Sequence, residues 1–310
     1  MDNMLHLSAS PHIHSTHSTR RVMLDVVISL LPAAIAGMII FGWRAFLVIA
    51  TCIGTCVLSE FIFNLLVKKE QSIGDLSAVV TGLLLALNLP ANIPLWQAIV
   101  GSVFAIVVVK CFFGGIGKNI VNPAITARVF MLVAFGEMAT AALPSSAVDA
   151  VSGATPLATI ADGTYPDLLT LFLGNYGGAI GETCTLALLI GGIYLIIRHI
   201  ISWHLPVSFI GTVFLFTLVL VDFNVATALA YTLSGGLFIG AIFMATDYVT
   251  SPATWGGQIL FGVLAGVITV MIRMFGNYPE GVSFAILLMK ILTPYIDIWT
   301  SRKIVGGEKA

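Results

Sequence analysis

Residues 85–94 read LALNLPANIP: an apolar run stops at Asn88, resumes at Leu89 and is broken by Pro90 and Pro94. The setting makes this break informative. Of 310 residues, 58% are hydrophobic and only 9% are charged, with a formal net charge of −1. Soluble domains carry about 25% charged residues, so this chain cannot cover a water-facing surface and reads as a polytopic membrane protein. The charge balance argues against a nucleic-acid partner. Inside a membrane, irregular backbone is tolerated only where it is buried in protein or lines a cavity. A second break, MATDYVTSPAT at 244–254, poses the same demand.

Working outward, apolar runs near the length of about 20 residues that a crossing needs define ten expected spans. They are 22–40, 44–66, 75–90, 95–113, 123–143, 184–200, 205–221, 225–246, 256–275 and 281–299. Basic residues orient them. With the N-terminus cytoplasmic, the inner side receives Arg20, Arg21, Lys68, Lys69, Lys110, Lys118, Arg198, Arg302, Lys303 and Lys309, and the outer side only Arg44 and Arg273. Arg128 and Lys290 fall within spans. Both termini are therefore expected inside. LALNLPANIP then closes the third span outside and MATDYVTSPAT the eighth inside. The first twenty residues are polar and His-rich, and no cleavable signal peptide is expected.

Shifting the chain by 158 residues aligns Gly82 with Gly240, Pro94 with Pro252, Asn119 with Asn277, Ala127 with Ala285 and Met131 with Met289. An odd number of spans per half makes the second half enter from the opposite side. The expected fold is all-α, with ten transmembrane helices in two inverted five-helix repeats. Its parts are a cytoplasmic tail 1–21, a first repeat 22–143, an extracytoplasmic loop 144–183, a second repeat 184–300 and a cytoplasmic tail 301–310. The loop has no Lys or Arg but holds Asp149, Asp162, Asp167 and Glu182, which suits translocation.

That loop contains DAVSGATPLAT, 149–159. Gly153 and Ala154 leave the Thr155 hydroxyl open, and Pro156 keeps Thr155 out of the α region. D-x-x-S-G-A-T resembles the threonine flavinylation motif. VNPAITARVF (121–130), LLTLFLGNYGGAIGETCTLALLIGG (168–192), FMATDYVTSP (243–252), YPEGVSFAILLMK (278–290) and SPHIHSTHSTRRVMLDVVISLLPA (10–33) add to the likeness. Together they resemble the NqrB/RnfD family, membrane subunits of the Rnf ferredoxin:NAD+ oxidoreductase complex and of the sodium-pumping NADH:quinone oxidoreductase. The Rnf branch is the expected one, because NqrB chains carry an extended N-terminal region not seen in this sequence.

The resemblance implies FMN attached through a phosphodiester to Thr155, with Asp149, Ser152, Gly153 and Ala154 completing the recognition motif. It implies a second, non-covalent flavin (riboflavin), for which Asn88, Asn122, Thr126 and Arg128 are candidate contacts. The expected role is an electron relay between reduced ferredoxin and NAD+ coupled to Na+ or H+ movement, in a bacterial cytoplasmic membrane. Expected partners are RnfA, RnfB, RnfC, RnfE and RnfG, with a flavin transferase during maturation.

Intramembrane carboxylates are functional candidates by default. Glu60, deep in the second span, leads for an ion path, followed by Asp25 and Asp247. Asp222 reads as an interfacial residue, and Arg128 as a partner for a carboxylate or a flavin's negative charge. Cys52 and Cys56, four apart, read as buried packing. The N-terminal histidines lack metal-site spacing, and no metal is expected. The rival readings are an NqrB-type quinone reductase subunit, a passive scaffold and a small-solute channel or transporter.

Overall fold

A computed structural model describes residues 18–135, 141–144, 152–153, 156–160, 165–276 and 280–301. Among the described residues, regular structure is helical apart from one short two-stranded ribbon. In order, the helices are α1 (Thr19–Phe41), α2 (Trp43–Val67), α3 (Ser77–Leu87), α4 (Leu95–Val103, continuing as π-helix over Phe104–Cys111) and α5 (Pro123–Ala134). Strands β1 (Ala141–Ala142) and β2 (Ser152–Gly153) follow, then α6 (Pro156–Ile160), α7 (Leu168–Leu173), α8 (Thr185–Ile197) and α9 (His204–Leu220). The chain ends with α10 (Val225–Leu233), α11 (Leu237–Ile239, continuing as π-helix over Gly240–Met244), α12 (Trp255–Phe275) and α13 (Val282–Thr300).

Local chemistry sets these boundaries. Ser18 caps α1 by accepting from the Arg21 amide, Asn122 caps α5 ahead of Pro123, Asn224 caps α10 and Thr254 caps α12. Gly42, at φ 70°, turns the chain between α1 and α2.

Helices occupy all ten expected segments, but ten full-length crossings are met only in part. Among the described residues, only α1, α2, α12 and α13 are long and apolar enough to cross alone, and a fifth arises if α10 and α11 count as one span bent by 63°. The other five apolar helices have 10–17 residues. At about 1.5 Å per residue, the 11-residue α3 covers little more than half of a hydrocarbon core of about 30 Å. Each short helix ends on an identifiable break. Asn88 stops α3, Phe135 turns extended after α5 (φ −128°, ψ 105°) well short of residue 143, and Gly235 at φ 73° breaks the eighth segment.

The core joins the two halves. α1 packs along α8, α5 along α13, and Asn88 at the end of α3 reaches Met244 at the end of the α11 rod. Each of these pairs joins a segment to the one lying about 158 residues further on. The α1–α8 crossing is close: a Cβ on Gly191 would sit 2.0 Å from the Ser29 carbonyl oxygen, and one on Gly37 2.4 Å from that of Ile180. α3 also crosses α2 closely at Gly82, where a Cβ would lie 2.8 Å from Ile53 Cα and 2.9 Å from the Cys52 carbonyl oxygen. Cys52 and Cys56 are fully buried there, in the packing role expected of them.

Because no side-chain movement relieves a clash with backbone, Gly191→Val is expected to abolish accumulation of folded chain in the membrane. Gly54→Ala, with nothing within 4 Å of the added methyl, leaves it intact or slightly stabilised. Fluorescence-detected size exclusion of the two variants checks this contrast.

Candidate functional site

LALNLPANIP is not an exposed turn. Asn88 and Leu89 are buried, and the free carbonyls at the end of α3 receive amides from far along the chain. The Ile180 amide donates to the Leu89 carbonyl at 3.0 Å, and the Gly181 amide to that of Leu87 at 2.7 Å. Gly181 permits this approach, since a Cβ there would lie 2.5 Å from Leu87 Cβ. Pro90 bridges Ala179, and the Gly178 amide donates to the Ala142 carbonyl at 3.0 Å. Ala142 is in β1, which pairs antiparallel with β2, Ser152 opposite Ala142 and Gly153 opposite Ala141. Continuous backbone pairing thus ties Ser152 and Gly153, two residues of the expected flavin-attachment motif, to the break in α3. Asp149, Ala154 and Thr155 lie outside the described residues; the chain flanking Ala154 and Thr155 is β2 on one side and α6 on the other.

Just beyond this seam lies a buried charge cluster. Arg128 Nη1 donates to Asn88 Oδ1 at 2.6 Å, while Nη2 pairs with Glu280 and faces Glu182 Oε2 at 3.9 Å. The other Glu182 oxygen accepts the Ala179 amide at 3.0 Å. Arg273 donates to the carbonyls of Tyr231 and Ser234 at 2.7 and 3.2 Å, meeting the negative end of α10. Glu182, Glu280 and Arg273 were not singled out from sequence. The available signal was Arg128 itself, because a mid-span guanidinium requires a counter-charge.

Beside Lys110 and Asp247, a cavity of about 110 Å³ lies between the halves. Val80, Thr81, Leu84 and Phe243 form walls, and Ser77, Lys110, Asn119, Asn122, Thr246 and Asp247 supply its polar groups. Through Met23, Ile116, Ile200, Tyr248 and Val249 it adjoins a wider cleft of about 810 Å³. Of the residues expected to touch a second flavin, Asn122 lines this cavity. Thr126 is one turn on, its hydroxyl bonded to the Asn122 carbonyl at 2.8 Å. Asn88 and Arg128 are placed together in the charge cluster instead.

The three carboxylates expected on an ion path are all paired. Glu60 accepts from Lys110 Nζ at 2.8 and 2.9 Å, and Lys110, on the π-helical part of α4, also donates to Ser77 Oγ at 2.6 Å. Ser72 donates to Glu60 at 2.6 Å. Asp25 accepts from the Tyr194 hydroxyl at 2.9 Å and from Arg198 at 3.1 Å. Asp247 faces buried Lys290 at 3.9 Å, and that ammonium donates to Thr250 Oγ1 at 2.6 Å. In the turn after Asp247, burial and then the Asp25 charge hold the Tyr248 hydroxyl above the usual phenol range. Asp222 is exposed, as expected of an interfacial residue.

Residues 6–306 match the family model described as the NQR2, RnfD, RnfE family. The chain is 46% identical to the D subunit of the Na(+)-translocating ferredoxin:NAD(+) oxidoreductase complex of Acetobacterium woodii, over 98% of this chain and 96% of the relative. It is 41% identical to the proton-translocating counterpart of Clostridium ljungdahlii, over 96% and 95%. It is 38% identical to the D subunit of the ion-translocating oxidoreductase complex of Stutzerimonas stutzeri, over 90% of each.

The Glu60–Lys110 pair sits 1% and 3% exposed, so removing one partner strands the other charge. Glu60→Gln and Lys110→Met should each destabilise the purified protein by about 3–5 kcal/mol. The double variant should recover most of that loss, as read by thermal unfolding in detergent.

Proposed function

The chain belongs to the NQR2, RnfD, RnfE family, and from that premise we propose that it is the membrane subunit of an Rnf-type assembly. In this reading it carries FMN on Thr155 and passes electrons between reduced ferredoxin and NAD+ while Na+ or H+ crosses the membrane. The observation that carries the reading is the seam of backbone hydrogen bonds from β2 through β1 and residues 178–181 to the end of α3. It anchors the motif on the membrane domain. A flavin held there supplies one-electron chemistry; the chain's part is to fix its attachment point and keep it from diffusing away.

The ten-crossing, inverted-repeat reading belongs to the same proposal. It is supported by the pairing of α1 with α8 and α5 with α13, and by the short helices that abut in the middle of the fold. The inner cavity suits a second flavin. Its walls are apolar, Asn119 and Asn122 offer hydrogen bonds, and the adjoining cleft gives room for a ribityl chain. Glu60, Asp25 and Asp247 remain the proposed ion-handling residues, all toward the cytoplasmic half. The names of the relatives favour ferredoxin and NAD+ chemistry over quinone reduction and over solute transport. RnfA, RnfB, RnfC, RnfE and RnfG are the partners proposed for it.

Produced with its flavin transferase, the wild-type chain should run as a fluorescent band on a denaturing gel under ultraviolet light, and Thr155→Val should not. Intact mass should show one FMN, mapped to residues 149–159. A wild-type chain without the band rules out the covalent flavin.

A further inference from the structure

We infer that Arg128 seals the axis between the two halves against cations, so that the ion moved by the assembly crosses beside this axis rather than along it. The position is decisive. One guanidinium meets the end of α3 through Asn88, the start of α13 through Glu280 and the approach to α8 through Glu182. It also abuts the α10–α11 bend, where a Cβ on Gly236 would lie 3.2 Å from Arg128 Nη1 and 3.5 Å from Glu182 Oε2. The places where the rods are interrupted, and where an axial path would run, therefore converge on this group.

Charge bars the path. Among the described residues, Glu182 and Glu280 both face Arg128, with Arg273 close by on the carbonyls that end α10, so two carboxylates meet two guanidiniums and the site offers a cation no excess of negative charge. Two arginines at low dielectric repel Na+ and, remaining protonated, do not relay H+. Space bars it too. Among the described residues, a void lined by Arg128 and Glu280 measures about 10 Å³, at the lower limit of what one water needs. The inner cavity stops at Thr81, Leu84 and Phe243, and neither Asn88, Arg128 nor Glu182 lines it.

The full chain, reconstituted alone in liposomes under an inside-negative potassium diffusion potential, tests this by radioactive sodium uptake and an internal pH dye. Wild type and Arg128→Lys should match protein-free vesicles. Arg128→Gln should raise sodium uptake about tenfold or more, the change given by a barrier lowered by about 1.4 kcal/mol. Sodium entry through wild type, or a monodisperse Arg128→Gln protein as tight as wild type, overturns the inference. A second measurement does not depend on that variant folding. In the intact assembly, Thr81→Cys should react with a membrane-impermeant thiol reagent from the cytoplasmic face alone, and labelling from the outer face overturns the inference equally.

Discussion

The fold depends on two backbone hydrogen bonds, from the amides of Ile180 and Gly181 to the carbonyls of Leu89 and Leu87. A helix that stops partway across a membrane leaves carbonyls with no water to accept from, at several kcal/mol each. α3 stops there, and the segment before α8 supplies the missing donors. Meeting that requirement fixes where α8 begins, turns Glu182 toward Arg128, and leaves Gly178 free to pair with β1. Strand β2, with Ser152 and Gly153, is one pairing further on. A change at Gly181 would therefore act at these two residues through the seam.

The second constraint is electrostatic. An isolated charge in a low-dielectric interior is prohibitively costly, whereas a hydrogen-bonded pair is tolerable. Each of the buried and half-buried carboxylates discussed above faces a base from a different element, hydrogen-bonded in the Glu60–Lys110, Asp25–Arg198 and Glu280–Arg128 pairs and at 3.9 Å in Glu182–Arg128 and Asp247–Lys290. Such pairs specify which helices meet. Glu60 with Lys110 joins α2 to α4, and Asp25 with Arg198 joins α1 to the end of α8. They also leave the axis electrically balanced, which is unlike a cation pathway lined with unpaired carboxylates.

Much of this was legible in the sequence. The apolar runs located every long helix within a few residues, and the break at Asn88 marked a real boundary. The 158-residue register matched the segments that pair across the halves. What periodicity could not give was helix length. α5 and α3 look apolar beyond their ends, and only packing decides where the ladder stops. The cluster around Arg128 was half legible. The lone arginine within a span announced a partner, but Glu182 and Glu280 are far away in sequence and sit beside Gly-rich or Pro-rich turns that read as loop. The seam was invisible for the same reason, since a backbone bond between residues 87 and 181 leaves no pattern of residue types.

A sealed axis and an inward cavity together sharpen what the cavity is for. Its polar groups are mostly donors or neutral, namely Lys110, Asn119, Asn122, Ser77, Thr81 and Thr246, against the single carboxylate Asp247, which faces Lys290. Lys110 reaches it because the π-helical stretch of α4 carries the ammonium to Glu60 and Ser77 together, leaving its charge balanced yet beside the cavity. A site of this kind favours a flat, neutral or anionic ligand between apolar walls over a naked cation, which would lose its hydration and gain little. In the proposed role, electron carrier and ion are thereby separated in space within one chain. Coupling between them must then travel through the position of helices such as α3 and the α11 rod, which touch both the cavity and the Arg128 seal, and not through a shared channel.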